Sequence, residues 1–173
     1  MAYTHTLIES YTVGSSGAAS ITFGSGNTIP QTYKDLVIKM VHRNTNSATV
    51  DGLVIEVNGS TANVTTKYID FDGAGLRNNS TAGNFCGYYQ GTQFSTNGFT
   101  ISEIYMPNYT FANTKNWQIQ STANNNVSAG SASYYTGTMN QTRTTTSSPI
   151  TQIRLAGGDN FAQYSSFYLY GIV

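Results

Sequence analysis

Acid–base and metal chemistry in this chain would have to come from eight carboxylates, two histidines and one cysteine. Asp70 and Asp72, in Ile-Asp-Phe-Asp-Gly, lie two apart. On a strand that spacing puts both carboxylates on one face, where they are candidate Ca²⁺ ligands if a third oxygen is near. A calcium loop needs further oxygens at fixed offsets and a closing Glu, whereas Gly75, Leu76 and Arg77 follow. A strand-end turn held by the Asp side chains is the favoured reading, and no cofactor is expected. Gly73-Ala74-Gly75 offers a flexible turn for an anion, but neither Lys-Ser/Thr nor a helix follows to supply the charge and dipole.

Nucleophilic catalysis has little to build on. His5 lies near a terminus and His42 ends an otherwise apolar run, so a triad would have to use His42. No Gly-x-Ser-x-Gly elbow accompanies it. A glycosidase pair would be drawn from Glu9, Asp35, Asp51, Glu56, Asp70, Asp72, Glu103 and Asp159, and no spacing singles two of them out. Cys86, between Phe85 and Gly87, has no neighbouring cation to favour a thiolate and reads as a buried, inert thiol. The expectation is a protein that binds and does not catalyse.

Binding chemistry is better represented. Thirteen tyrosines and eight phenylalanines are many for 173 residues. Tyr88-Tyr89, Tyr134-Tyr135 and Phe167-Tyr168-Leu169-Tyr170 stand out, and alternation turns one tyrosine of each adjacent pair outward. Outward tyrosines suit interfaces, with apolar area and a polar tip at low entropy cost. Tyr88, Tyr89, Tyr134, Tyr135 and the single tryptophan, Trp117, are therefore the candidate contact residues.

The chain that must position them is short and nearly uncharged. Its 18.7 kDa fits one domain. Charged residues make up 9%, balance to zero and give a pI near 6.7. Eight scattered Lys and Arg form no basic stripe, so a nucleic-acid partner is not expected. Thr, Ser, Asn and Gln number 68 together, a neutral amide-and-hydroxyl surface closer to that of an extracellular or virion protein than of a cytosolic enzyme. One cysteine excludes an intrachain disulfide. The opening residues lack a basic and then apolar leader, and no run approaches the roughly 20 apolar residues of a membrane helix. Synthesis in a cytoplasm, with no membrane partner, is the expectation.

Periodicity is two throughout. Strands are predicted over Leu7–Val13, Ser20–Phe23, Leu36–Arg43, Leu53–Val57, Val64–Phe71, Asn84–Gln90, Phe99–Met106, Asn116–Ser121, Ala132–Thr136, Ile150–Leu155 and Ser166–Val173. Turns are expected at Asp51-Gly52, Asn58-Gly59, Asp72-Gly73, Asn97-Gly98 and Gly157-Gly158, and long surface loops over Ser121–Ser133 and Thr142–Ser148. In the Leu36 run, Leu36, Ile38 and Met40 point one way and Val37, Lys39 and Val41 the other. A strand apolar on both sides belongs at a position covered from two directions. The expected fold is a single all-β domain, an antiparallel β-sandwich of jelly-roll type with little or no helix.

Four stretches carry a resemblance: Thr6-Leu7-Ile8-Glu9-Ser10 with Ile21-Thr22-Phe23; Ile29-Pro30-Gln31-Thr32-Tyr33-Lys34-Asp35-Leu36-Val37-Ile38; Asp51 to Gly59; and Ile150 to Leu155 with Ser166 to Ile172. Together they resemble small β-sandwich virion proteins of tailed bacteriophages. Residues from about 74 to 149 carry no matching motif. The resemblance implies a jelly-roll-like module that decorates or cements the head by binding the major capsid protein, commonly as a homotrimer, and implies no catalytic residue. The alternative within the same particle is a tail, fibre or head-appendage module that binds host glycan through Trp117, the tyrosine pairs and Asn/Gln-rich loops.

Overall fold

A computed structural model of the chain describes residues 4–47, 50–62, 64–71, 76–92, 98–124, 134–143 and 148–173. Twelve strands form and no helix is present among the described residues. They are β1 (His5–Thr12), β2 (Ala18–Phe23), β3 (Asp35–His42), β4 (Val50–Val57), β5 (Val64–Phe71), β6 (Leu76–Ala82), β7 (Phe85–Gln90), β8 (Thr100–Met106), β9 (Lys115–Asn124), β10 (Tyr134–Arg143), β11 (Ile153–Phe161) and β12 (Ser166–Ile172). All pair antiparallel in two sheets, an eight-stranded one ordered β1-β12-β3-β8-β9-β10-β5-β6 and a four-stranded one ordered β2-β11-β4-β7.

The topology is a jelly roll with two insertions. Setting aside the hairpins β5–β6 and β9–β10 leaves eight strands, and the four pairs β1·β12, β2·β11, β3·β8 and β4·β7 nest one inside the next. That is a long hairpin rolled into two facing sheets. The inserted hairpins pair with each other through β10 and β5, and β9 joins β8, so both extend the same sheet. All but β5 fall within the stretch that carries no recognisable motif.

The core lies between the sheets. Leu36, Ile38, Met40, Ile104, Ile119, Phe167 and Leu169 of the large sheet meet Ile21, Phe23, Leu53, Ile55, Ile153 and Leu155 of the small one. This is the inward half of each alternating strand. Asn58 and Gly59 make the expected turn after β4, with φ of 51° and 72°. The Asn58 Oδ1 accepts from the Thr151 and Gln152 amides at 2.9 and 3.1 Å, tying the turn to the start of β11.

Two of the expected turns lie inside strands instead. Asp51-Gly52 lies inside β4, opposite Tyr89 and Tyr88, and Gly157-Gly158 lies inside β11 at a break in its register. Gly157 serves close approach here, because an added Cβ would overlap the Tyr89 hydroxyl. The expected turns at Asp72-Gly73 and around Asn97 lie outside the described residues. Ser121–Asn124 and Thr142–Arg143, expected in loops, are strand instead, because β9 and β10 pair along their whole lengths. Residues 125–133 and 144–147 lie outside the described residues.

A polar joint holds the inserted hairpins. Gln141 on β10 accepts from the Trp117 indole through Oε1, and its Nε2 donates to the Thr66 hydroxyl at 2.8 Å and to the Phe85 carbonyl. Thr66 donates to the Gly83 carbonyl at 2.9 Å. All three polar side chains are buried. Gln141→Leu should therefore cost about 1–3 kcal/mol, because it strands the indole N–H in a dry site. A urea melt would read this as a lower midpoint with an unchanged slope, and an unshifted midpoint would contradict it.

Candidate functional site

Two of the five candidate contact residues, Tyr89 and Trp117, turn inward. Tyr89 is fully buried and packs on His42 and Phe161 at ring-centroid separations of 5.7 Å each. Trp117 is buried in the joint just described. Neither offers area to a partner, which corrects their assignment as contact residues. Tyr88 is half-buried and meets Phe85 edge-on at 4.9 Å. With Tyr89 turned inward, alternation along β7, the edge of the small sheet, puts Tyr88 on the other side of the strand. Tyr134 and Tyr135 open β10 opposite Asn124 and Ala123.

Asp70 is buried on β5 in register with Gly137 and Arg77 on its two neighbours. A Cβ on Gly137 would stand 2.8 Å from the Asp70 Cβ, so glycine makes room for it. Asp72 lies outside the described residues. No group of three or more His, Cys, Asp or Glu side chains converges on a metal-sized site among the described residues.

Carboxylates and amides do gather where β4, β7 and β11 end together. Asn46 donates to Asp159 Oδ2 at 2.6 Å, the Gly52 amide to Asp51 Oδ1 at 2.7 Å, and the Tyr89 hydroxyl to Asp51 Oδ2 at 3.4 Å. Burial, reinforced by the Asp51 charge, pushes the Tyr89 phenol up to about 12. Tyr89 is therefore a donor across the neutral pH range.

His42 also has a structural use. Its Nε2 lies 2.9 Å from Ser102 Oγ, which lies 3.0 Å from Ser121 Oγ, which donates to the Tyr88 carbonyl at 3.2 Å. Nδ1 has no partner among the described residues. A proton on Nε2 gives every hydroxyl an acceptor and leaves only a lone pair orphaned, less costly than a stranded N–H. Ser102 then receives from His42 and is not activated by it. Cys86 is buried, and burial pushes its thiol up, away from reactivity.

The surface that remains is the outer face of the eight-stranded sheet. Cross-strand partners share a face, so the registers define its rows. The middle row runs Tyr168, Lys39, Glu103, Gln120, Thr138, Ile69. Flanking it, Val41 pairs with Ile101 on one side and Val37 with Tyr105 on the other. Val41, Ile101 and Ile69 are 41%, 65% and 48% exposed, although their strands are interior to the sheet. Tyr168 and Tyr170 stack with centroids 6.5 Å apart, and Lys39 Nζ stands 3.7 Å from Glu103 Oε2. Toward β9 and β10 the face becomes amide and hydroxyl, with Gln118, Gln120, Thr122 and Asn140 exposed.

Sequence reasoning did not name Lys39, Glu103, Val41 or Ile101 as a surface. The signal was present in β3, whose second apolar side buries Val37 and leaves Val41 exposed. No protein-family model, curated protein or solved structure matches the chain at significance.

Proposed function

We propose that this protein is a structural component of a tailed-bacteriophage virion, a decoration or cement protein that stabilises the head by binding the major capsid protein. The observation that carries this reading is the outer sheet face, amide-rich and with one ion pair among the described residues, whose β5–β6 end leaves Ile69 and Leu76 exposed on a jelly roll widened by two hairpins. The sequence resemblance supports the same reading. The protein acts by adhesion, not by turnover. A homo-oligomer, a trimer in the family it resembles, makes several modest contacts at once, each at an effective concentration far above bulk. Contacts made of amide, hydroxyl and tyrosine groups are also little screened by salt.

Purified protein added to heads of the phage that encodes it should bind at the same level at about 0.05 M and about 0.5 M NaCl, since screening at that strength removes most surface charge attraction. Release at the higher salt would contradict a neutral contact. A second reading, an appendage that binds host glycan, is favoured by a groove of about 360 Å³ lined by Tyr105, Asn116, Gln118, Asn140 and Thr142. It sets amides and hydroxyls around the Tyr105 ring, with Trp117 also in its wall. Immunogold labelling of virions separates the two, with label on the head supporting the cement reading and label confined to the tail supporting the appendage.

A further inference from the structure

We propose that the outer face of the eight-stranded sheet is covered by a second copy of this chain, related by a two-fold axis that runs along the strands above the line between β3 and β8. This goes beyond virion placement, does not depend on it, and leaves the β5–β6 end of the face, with Ile69 and Leu76, uncovered for a capsid contact.

The face is complementary to itself about that line. Its charged pair, Lys39 and Glu103, is cross-strand and half exposed on both sides. A two-fold along the strands sets β3 of one copy over β8 of the other at the same height. Lys39 then meets the partner copy's Glu103 twice and Val41 meets Ile101 twice, while Val37, already buried within its own chain, lies beneath the contact. A like-charged face would repel its copy, whereas this one cancels row by row. The same operation sets Tyr168 and Tyr170 of β12 over Gln120 and Gln118 of β9, giving each phenol an amide to bond.

The area is sufficient. The axis overlays six strands, β1 through β10 in sheet order, and leaves β5 and β6 outside. Six strands at about 4.8 Å spacing and about seven residues at 3.3 Å cover roughly 650 Å² per copy, within the range of stable interfaces. The pairing also covers Val41, the apolar residue that β3 leaves exposed on that side.

The assembly this produces is a dimer, against the trimer implied by the resemblance. Light scattering on the wild-type chain should give twice 18.7 kDa. Lys39→Glu and Glu103→Lys should each weaken association on the order of 100-fold, since each creates two like-charged contacts. An equimolar mixture of the two variants should restore the dimer, because every crossing pair is then opposite in sign. Ile101→Asp should give monomers that the mixing partners do not rescue. Circular dichroism melts should show each variant folded, since Lys39, Glu103 and Ile101 are exposed. A monomeric or trimeric wild type, a dimer that survives all three substitutions, or folded single variants that fail to pair would each overturn the two-fold contact. A trimer that still binds heads would overturn it while leaving the proposed function standing.

Discussion

Between pH 6.5 and about 3 the folded chain is expected to lose stability at up to about 1.4 kcal/mol per pH unit, through His42 alone. The imidazole is completely buried among Tyr89, Phe161 and Phe167, with no carboxylate partner in its ring contacts. Burial lowers its pKa from 6.5 to about 3. In the window between those values the unfolded chain binds a proton that the folded chain refuses, so the histidine's full contribution is present above pH 6.5 and is lost as pH falls. Toward the bottom of the window the loss is roughly 4 kcal/mol, a large share of the 5–15 kcal/mol typical of a domain.

The diagnostic interval is pH 6.5 to 5, above the range in which ordinary carboxylates take up protons. Urea midpoints should fall across it by about 2 kcal/mol equivalent in the wild type. In His42→Gln, which keeps a donor for Ser102 and cannot charge, they should stay level. Equal wild-type midpoints at pH 7 and pH 5 would show that the imidazole is not held neutral by the core.

Gly157→Ala is expected to destabilise the fold by about 3 kcal/mol. The new Cβ would overlap the Tyr89 hydroxyl and approach its ring, and Tyr89 has nowhere to retreat, with His42 and Phe161 packed against it. Gly171→Ala drives a Cβ into Tyr33 at the end of β12 and should cost less, because Tyr33 is only half-buried and can swing outward. Gly14→Ala is the control: nothing lies within 4 Å of its added Cβ, and its midpoint should move by no more than about 0.5 kcal/mol. In a Tyr89→Leu background Gly157→Ala should become less costly, the coupling expected of residues in contact. An additive double variant would place the clash elsewhere.

How much of this was readable beforehand depends on the level. Val64–Phe71 was delimited as it forms, and most other predicted strands overlap the observed ones by all but a few residues. Hydrophobic alternation is a local property of the chain, and so is the absence of a 3.6-residue repeat. The strand β6 escaped because Leu-Arg-Asn-Asn-Ser-Thr-Ala has no apolar alternation. It sits at the sheet edge with one neighbour, where burial places little demand on its residues. Gly157-Gly158 looked like a turn because glycine supplies two different freedoms, positive φ and close approach, and composition does not say which one a site uses.

By itself, then, the sequence determined the all-β class, the neutral surface and the two-sided apolarity of β3. Tertiary structure alone decided which of those sides is covered, and it sent Tyr89 and Trp117 into the interior while leaving Val41 and Ile101 outside. The reason is geometric. Alternation divides a strand's side chains into two sets, but which set meets another layer depends on how far each sheet extends, and that width was set by hairpins joined across 50 or more residues of chain.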